Sequence, residues 1–284
     1  MNVKIIIDST ADLTAEAQKR VTVVPLTIRF GEEEYIDGIT IDSHKFYEML
    51  IESDVLPTTS QANPAVFEEV FAEAVKDGSQ VVCVTCASKL SGTYQSAVIA
   101  AEDYAGQVFV VDSQNIALGS AILIQYALEL KDRGLTAEEI AWKLMQKREK
   151  VRLIAMLDTL EYLKKGGRIS ATVAFAGGLL NIKPVICIDG GEIRMLGKAR
   201  GSKLGNNLLV QEIAKAGGVD FSKPLMLGYT GLTDALLQKY IADSATLWEG
   251  NCENLPISVV GSVVGTHVGP GAVAVAFFSA DGEN

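Results

Sequence analysis

The chain has 284 residues, of which 48% are hydrophobic, and a formal net charge of −10 at pH 7. This length and apolar content predict a globular protein with two domains or one large α/β unit. The negative net charge argues against nucleic acid as a main partner, because nucleic acids are also negatively charged. For the same reason we expect at most transient contact with an anionic membrane surface. The first apolar run is five residues long, too short for a signal peptide, and no run reaches the length of a membrane span, so we expect a cytoplasmic protein.

The first 150 residues alternate short apolar runs with amphipathic stretches. The apolar runs predict strands at residues 3–7, 22–30, 81–85 and 107–111. The amphipathic stretches predict helices at residues 12–20, 41–51, 64–76, 116–132 and 136–150, and a further helix that begins near Tyr94. Strands and helices in alternation are typical of a parallel sheet flanked by helices. We therefore predict an N-terminal α/β domain over residues 1–150.

The pattern changes at Val151. Strands are predicted at residues 151–157, 225–229, 257–264 and 272–278, with a hairpin over residues 184–197. Helices are predicted at residues 162–165, 202–216 and 233–248, and residues 171–180 read as an enclosed apolar helix rich in small side chains. These elements predict a C-terminal α/β domain over residues 151–284 with a mixed or antiparallel sheet.

Polar side chains follow several predicted strands. Asp8 and Ser9 end the first strand, Ser88 follows the third, and Asp112 and Ser113 end the fourth. In open α/β sheets, ligands bind at the carboxyl ends of the strands.

The loop at Ser91, Gly92 and Thr93 precedes a helix, where free backbone N–H groups favour an anion. No Lys or Arg lies between Leu90 and Glu102, so hydroxyls and amides would hold the anion, which suits a carboxylate better than a polyphosphate. An ordinary helix cap at Ser91 is the alternative.

Two further segments are candidates for ligand binding. Residues 58–61 place three hydroxyls and an amide just before a helix that Asn63 and Pro64 begin, which is more polar groups than one cap requires. His267 stands in a glycine-rich loop, where its imidazole could contact a ligand or anchor a tight turn between two strands.

The other common kinds of chemistry lack their motifs. The sequence has only two histidines and no carboxylates at the spacing that metal sites use, which argues against a metal site. The glycine-rich motifs that bind phosphate or dinucleotides are also absent from the sequence. Cys83 and Cys86 have redox spacing, but positions i and i+3 of a strand face opposite sides. A nucleophilic pair of Ser91 and His267 stays open, although no G-x-S-x-G motif supports it.

Taken together, seven short motifs resemble the DegV family in order and spacing over the whole chain. They are D-S-T-A-D-L at residues 8–13, T-T-S-Q at 58–61, S-G-T-Y-Q-S-A at 91–97, D-S at 112–113, D-T-L-E-Y-L-K-K-G-G-R-I-S at 158–170, K-P at 183–184 and G-T-H-V-G-P-G at 265–271. The departure is Q-A-N-P at residues 61–64, where the family more often has Gln-Pro-Ser; Asn63 can still cap the helix.

The resemblance implies a two-domain α/β protein that binds one long-chain fatty acid between its domains and has no catalytic activity or cofactor of its own. It implies that a separate ATP-dependent fatty acid kinase subunit phosphorylates the bound carboxylate to an acyl phosphate for phospholipid synthesis. Carried over by position, Thr59, Ser91 and His267 would bind the carboxylate, with backbone help from Gly92 and Thr93. For docking of the kinase, the resemblance points to three basic residues: Arg168, Lys164 and Lys165.

Residues 171–180 are our candidate for part of the tunnel wall, with a plain core helix as the alternative. Two other functions stay open. One is an acyl hydrolase or transferase that uses Ser91 and His267. The other is a small-carbonyl binding subunit, because the fold resembles that of dihydroxyacetone kinase subunits.

Overall fold

The computed structural model of this chain describes residues 2–169 and 181–280. The predicted apolar helix at residues 171–180 lies outside the described residues. The described strands form a four-stranded sheet, a six-stranded sheet and a three-stranded sheet.

The four-stranded sheet is parallel, with the strand order β2-β1-β6-β7. Its strands are β1 (Val3–Asp8), β2 (Thr22–Val24), β6 (Gln80–Thr85) and β7 (Val108–Asp112). β1 is buried almost throughout, as expected for a strand covered on both faces. Because all four strands run the same way, the polar residues that follow β1, β6 and β7 meet at one edge, as the sequence predicts.

The helices of this half are α1 (Ala15–Gln18), α2 (Ser43–Glu52), α3 (Pro64–Val75), α4 (Thr93–Ala101), α5 (Ala117–Asp132) and α6 (Ala137–Lys147). Single 3₁₀ turns follow at Glu102–Tyr104 and Arg148–Lys150. The predicted cap of α3 at Asn63 is confirmed, since its side chain accepts a hydrogen bond from the backbone N–H of Ala65. The helix predicted from residue 136 is α6, and a capping box of Thr136 and Glu139 begins it.

The six-stranded sheet is mixed, with the order β10-β9-β8-β13-β11-β12, and only the β11–β12 pair is parallel among its described pairs. Its strands are β8 (Val151–Met156), β9 (Ile182–Asp189), β10 (Glu192–Arg200), β11 (Met226–Tyr229), β12 (Ile257–Val259) and β13 (Val273–Phe278). The helices are α7 (Glu161–Lys165), α8 (Ser202–Lys215), α9 (Ala235–Asp243), α10 (Ala245–Trp248) and α11 (Ser262–Val268). The predicted fold class, with a parallel and a mixed sheet, is therefore confirmed.

Helix α5 lies between the two large sheets. It packs against β1 and β6 of the parallel sheet and against β8, β11 and β13 of the mixed sheet. Most of its side chains are buried, from Leu118 and Ile122 to Leu130, and a narrow stripe that includes Gln125 and Glu129 is partly exposed. The strands of the parallel sheet all precede residue 150 and those of the mixed sheet all follow it. The predicted domain boundary there stays a prediction.

A small antiparallel sheet joins β3 (Thr27–Phe30), β4 (Glu33–Ile36) and β5 (Thr58–Ser60) in the order β4-β3-β5. The sequence predicts one strand over residues 22–30, but the chain leaves the parallel sheet at Pro25, which has no N–H for a ladder bond. The hydroxyl-rich segment at residues 58–60, predicted as a loop, is the strand β5. Its pairing places Thr59 opposite Ile28.

Two C-terminal predictions are wrong in detail. The strand predicted over residues 257–264 stops at Val259, and His267 lies in the last turn of α11 instead of a loop. The helix predicted over residues 233–248 is interrupted at Ser244, whose hydroxyl donates a hydrogen bond to the carbonyl oxygen of Tyr240 at 2.6 Å. At Ser244 the interruption coincides with a local contact of the side chain with the backbone.

Candidate functional site: an apolar cavity with a polar end

A cavity of about 260 Å³ lies between the mixed sheet and the loops of the N-terminal half. We call it the inner cavity. Alternate residues of β8 and β9 face it, namely Leu153 and Ala155, and Ile186 and Ile188. Ala272, immediately before β13, and Ala274, within it, also line the cavity, and these small side chains leave room beside the sheet. The wall is therefore largely aliphatic.

Five polar or small residues cluster at one end of this cavity: Thr59, Ser91, Gly92, Arg168 and His267. They come from four different parts of the chain. The structure therefore brings together Thr59, Ser91, Gly92 and His267, which the sequence proposes as carboxylate ligands. Arg168, proposed for docking a kinase, lies beside them.

His267 is held from two sides. Its Nε2 lies 2.9 Å from Thr59 Oγ1, and its Nδ1 has no hydrogen-bond partner among the described residues. Gly166 packs directly against the ring, because a Cβ atom at that position would overlap Nδ1. Burial, and to a smaller extent the positive charge of Arg168, lowers the pKa of His267 from 6.5 to about 4. The imidazole is therefore neutral at pH 7 and carries one N–H.

The start of α4 supplies the second part of the polar end. Ser91 Oγ lies 2.9 Å from Thr93 Oγ1 and accepts a hydrogen bond from the backbone N–H of Thr93 at 3.3 Å. Gly92 packs so closely on Gln61 that a Cβ atom there would overlap its side-chain oxygen. Thr93 is fully buried, and its hydroxyl accepts a hydrogen bond from the backbone N–H of Ala62. Its side chain therefore ties α4 to the chain after β5, whereas Ser91 and Gly92 line the cavity.

The three basic residues near the site have different surroundings. The Arg168 guanidinium donates to the carbonyl oxygens of Gly166 and Leu90, at 2.6 and 3.3 Å. Lys165 is exposed and forms an ion pair with Glu161 at 2.8 Å. Lys164 is exposed and does not line the cavity.

Asp8 and Asp12 are buried, and the sequence did not predict the contacts that they make, although it places Asp8 at the carboxyl end of β1. Asp8 accepts hydrogen bonds from the backbone N–H groups of Thr10 and Cys86, at 2.9 and 2.6 Å. Asp12 Oδ1 accepts from the N–H of Gly261 at 2.8 Å, immediately before α11. Burial raises the pKa of both carboxyls. Asp8 and Asp12 belong to the first motif of the sequence, but two of their partners, Cys86 and Gly261, lie far along the chain, so spacing alone could not reveal these contacts.

Asp37 lies beside the start of α11. It follows β4, and its buried carboxyl is close to Ser9 and to Ser262, the first residue of the helix. Burial raises the pKa of Asp37 to about 6, although these polar neighbours oppose the shift. No sequence motif singles this residue out.

The apolar wall was the other feature that the sequence did not indicate. The residues of the wall are ordinary strand residues. The one signal in the sequence is a small residue, alanine, on the cavity side of two strands, at Ala155 in β8 and at Ala274 in β13.

Ser91 and His267 are not paired with each other. Ser91 Oγ is hydrogen-bonded to Thr93 and His267 Nε2 to Thr59, so the serine has no contact with a base of the kind that a nucleophile needs.

Within residues 2–169 and 181–280, no cluster of three or more His, Cys, Asp or Glu side chains is arranged to hold a metal ion. Over the same residues, no helix is both long enough and apolar enough to cross a membrane. Cys83 and Cys86 are buried and not disulfide-bonded, and burial raises the pKa of both thiols.

Comparison with known proteins gives one family. The model of the DegV family, described as uncharacterised proteins, matches residues 2–280. A DegV domain-containing protein of Caldanaerobacter subterraneus subsp. tengcongensis is 34% identical over 279 residues, which cover 97% of this chain and 98% of the relative.

Two solved structures show the same fold. A fatty-acid-binding DegV family protein from Thermus thermophilus has a TM-score of 0.87 and 30% identity, covering 98% of this chain and 100% of its own. A stearic acid-binding protein from Eubacterium ventriosum has a TM-score of 0.86 and 29% identity, covering 97% of both chains. With a family match over nearly its whole length, this chain belongs to the DegV family.

Proposed function

We propose that this protein binds one long-chain fatty acid, with the acyl chain in the inner cavity and the carboxylate at its polar end. The observation that carries the proposal is an aliphatic cavity that ends in Thr59, Ser91 and His267. Such a site complements a molecule with a long apolar body and one polar end. The fatty acids named for the Thermus and Eubacterium relatives support the same ligand class.

The carboxylate is held by neutral donors. In the tautomer with a proton on Nε2, His267 donates to Thr59 Oγ1, and the Thr59 hydroxyl is then free to donate to the carboxylate. The Ser91 hydroxyl and the N–H groups at the start of α4 approach from the other side, where the helix end favours negative charge. Thr93 contributes through its backbone and by positioning Ser91.

The acyl chain supplies most of the affinity. Burying about fifteen methylene groups at roughly 0.8 kcal/mol each gives a gross gain of about 12 kcal/mol before the costs of ordering and association. The polar end then selects a carboxylate without having to hold it tightly.

A separate ATP-dependent kinase subunit acts on the bound carboxylate. One carboxylate oxygen forms a bond to the γ-phosphorus of ATP while the bond from that phosphorus to the β–γ bridging oxygen breaks, and ADP leaves with the electron pair. The product is an acyl phosphate, which serves phospholipid synthesis. This protein acts as the carrier, and Arg168, Lys164 and Lys165 dock the kinase. Because the kinase uses ATP, we place the carrier in the cytoplasm.

The two alternative functions have weaker support. A hydrolase needs a base beside Ser91, and His267 is hydrogen-bonded to Thr59 instead. A small-carbonyl subunit needs a small polar pocket, whereas the inner cavity is mainly aliphatic.

Native mass spectrometry of the purified protein, followed by denaturing extraction of lipid, tests the binding step. We expect one fatty acid per chain, or uptake of one on incubation with palmitate or oleate, and much weaker uptake by Ser91→Ala and His267→Ala. A protein that stays empty with saturated and unsaturated fatty acids would contradict the proposal.

The kinase step has its own test. The protein loaded with ¹⁴C-palmitate is incubated with ATP, Mg²⁺ and a fatty acid kinase subunit, and acyl phosphate is trapped as the hydroxamate with hydroxylamine. We expect product only when both proteins and ATP are present. Equal product without the kinase subunit would assign catalysis to this chain.

A further inference from the structure

Two hydroxyl groups line the inner cavity away from its polar end. They belong to Thr10 and Thr230, which are only 2% and 4% exposed. The other hydroxyl-bearing residues of the described lining, Thr59, Ser60 and Ser91, lie at or beside the polar end. Thr10 and Thr230 therefore place hydroxyl groups beside the part of the cavity that holds an acyl chain.

Both threonines flank one small hydrophobic cluster. Ala117, Val260 and Val264 form this cluster, and all three line the inner cavity. The carbonyl oxygen of Thr10 accepts a hydrogen bond from the backbone N–H of Ala117 at 3.1 Å. The residue before Thr230 accepts one through its carbonyl oxygen from the N–H of Val260, at 2.8 Å. We call the two threonines and this cluster the threonine region of the inner cavity.

The threonine region lies along α11 from the carboxylate site. Val264 is about one turn before His267 in this helix, and Val260 lies two residues before the helix begins. At about 1.5 Å per helical residue, the distance from His267 to Val260 along the helix direction is about 10 Å. This is roughly half the length of an extended sixteen- or eighteen-carbon chain. A ligand atom in the threonine region therefore belongs to the middle of the acyl chain.

The two hydroxyl groups have complementary hydrogen-bonding capacity to spare. Thr10 Oγ1 donates to Asp8 Oδ1 at 2.6 Å, so its lone pairs remain for a donor. Thr230 Oγ1 accepts from the backbone N–H of Ala272 at 2.8 Å, and its own proton meets no acceptor in the described part of the chain. A buried hydroxyl group with an unused proton is unfavourable, and an alkyl chain cannot satisfy it. A ligand hydroxyl can accept the proton of Thr230 and donate its own to a lone pair of Thr10.

We propose that this protein binds hydroxylated long-chain fatty acids, with a hydroxyl group near the middle of the acyl chain held by Thr230 and Thr10. The inference rests on the proposed function, because the carboxylate of the same ligand occupies the polar end of the inner cavity. A hydroxyl group buried against an aliphatic wall loses its hydration without gaining a partner. In the threonine region the two side chains replace the lost water, so the site accepts a substituted chain as well as a plain one.

The probes are octadecanoic acid and the acids that carry one hydroxyl group on its eighth, tenth, twelfth or eighteenth carbon, the first three as separate enantiomers. Affinities are measured by competition against a fluorescent fatty acid. For the wild type we expect at least one mid-chain hydroxy acid to bind within about twofold of octadecanoic acid, and one enantiomer to bind at least about threefold more tightly than the other. The acid hydroxylated on its eighteenth carbon is expected to bind at least about tenfold more weakly, because its hydroxyl group lies beyond both threonines.

Thr230→Val removes the hydroxyl group and nearly keeps the shape of the side chain. We expect it to weaken binding of the preferred hydroxy acid about tenfold more than binding of octadecanoic acid, and to abolish the preference between enantiomers. Thr230→Ser is the matched control: it keeps the hydroxyl group and is expected to retain both properties. Because Thr230→Val also leaves the N–H of Ala272 without its partner, the two ligands are compared within each variant. A purely structural effect lowers both affinities alike.

Wild-type protein that binds octadecanoic acid but binds every mid-chain hydroxy acid at least tenfold more weakly would overturn this inference and leave the proposed fatty-acid binding intact. Equal weakening of both ligands by Thr230→Val would also overturn it, because the threonine would then act only on the fold. Failure to bind any of these acids would reject the proposed function itself.

Discussion

Asp12, near the N-terminus, accepts a hydrogen bond from the backbone N–H of Gly261, 249 residues away, at 2.8 Å. Gly261 immediately precedes α11, and His267 lies in the last turn of that helix. The first motif of the chain therefore fixes the start of the helix that carries the histidine of the site. Asp37 lies close to Ser262, the first residue of the same helix.

Asp12→Ala leaves the N–H of Gly261 buried without a partner. We expect a loss of about 2 kcal/mol in the free energy of unfolding, measured with urea. Fatty-acid affinity is expected to fall as well, because α11 positions His267. Asp12→Asn is the matched control: its amide oxygen can still accept the hydrogen bond, so stability is expected to stay close to that of the wild type. Equal stability of Asp12→Ala and the wild type would show that this contact does not hold the helix.

The buried carboxyl of Asp37 makes stability depend on pH in a defined direction. Its pKa in the folded protein, about 6, lies above the ordinary aspartate value of 3.8, so the folded state binds this proton more tightly than the unfolded state. The stabilisation is complete below about pH 4 and is lost as the pH rises through 6.

Measured against Asp37→Asn, the wild type is therefore expected to gain stability between pH 7 and pH 4, by at most about 3 kcal/mol. Urea unfolding of both proteins at several pH values tests this. Asp8 and Asp12 are present in both proteins, and because the charge of Asp37 helps to raise the pKa of Asp12, the difference reports Asp37 together with its interaction with its neighbours. A difference that is constant with pH, or that grows with rising pH, would contradict the prediction.

Gly166→Ala places a methyl group against His267 Nδ1. Since the backbone at Gly166 has ordinary helical angles, the strain falls on the imidazole, which has to move away from Thr59. We expect fatty-acid affinity to drop by about tenfold and stability by about 1–3 kcal/mol. Gly197→Ala is a suitable control, because its nearest neighbour is a flexible methyl group of Leu208 at 3.1 Å. If Gly166→Ala binds fatty acid as tightly as the wild type, the position of His267 does not matter for ligand binding.

Ala274→Leu fills part of the inner cavity from β13. We expect binding of sixteen- and eighteen-carbon fatty acids to weaken by at least about tenfold, while stability changes by less than about 1.5 kcal/mol because the new side chain enters existing space. An eight-carbon fatty acid serves as the internal control, since its shorter tail leaves room for the leucine. If the affinity falls equally for fatty acids of all chain lengths, Ala274 does not line the part of the cavity that holds the end of the acyl chain.

The sequence predicted those parts of the fold that local patterns determine. Apolar runs located β1, β6 and β7, and the capping residues Asn63 and Thr136 located the starts of α3 and α6. The prediction for α11 was wrong because a Val-rich segment favours a strand locally, whereas Asp12, far along the chain, accepts a hydrogen bond from the residue that precedes a helix there.

The site was predictable to a similar extent. Motif resemblance identified Thr59, Ser91 and His267, which the structure places around one end of the inner cavity. The wall could not be identified in this way, because Leu153 and Ile186 look like any core residue until the register of β8 and β9 is known. Asp37 was missed because its role depends on a contact with Ser262 that no local pattern encodes.

Helix α5, buried between the parallel and the mixed sheet, also constrains how the chain folds. A fragment ending at residue 150 would leave the face of α5 that covers β8 and β13 open to water, including Tyr126, which packs on Phe278. We therefore expect the two halves to unfold in one cooperative transition and a chain cut between them to aggregate. The same helix makes the protein a poor candidate for domain-by-domain dissection and a good one for study as an intact chain.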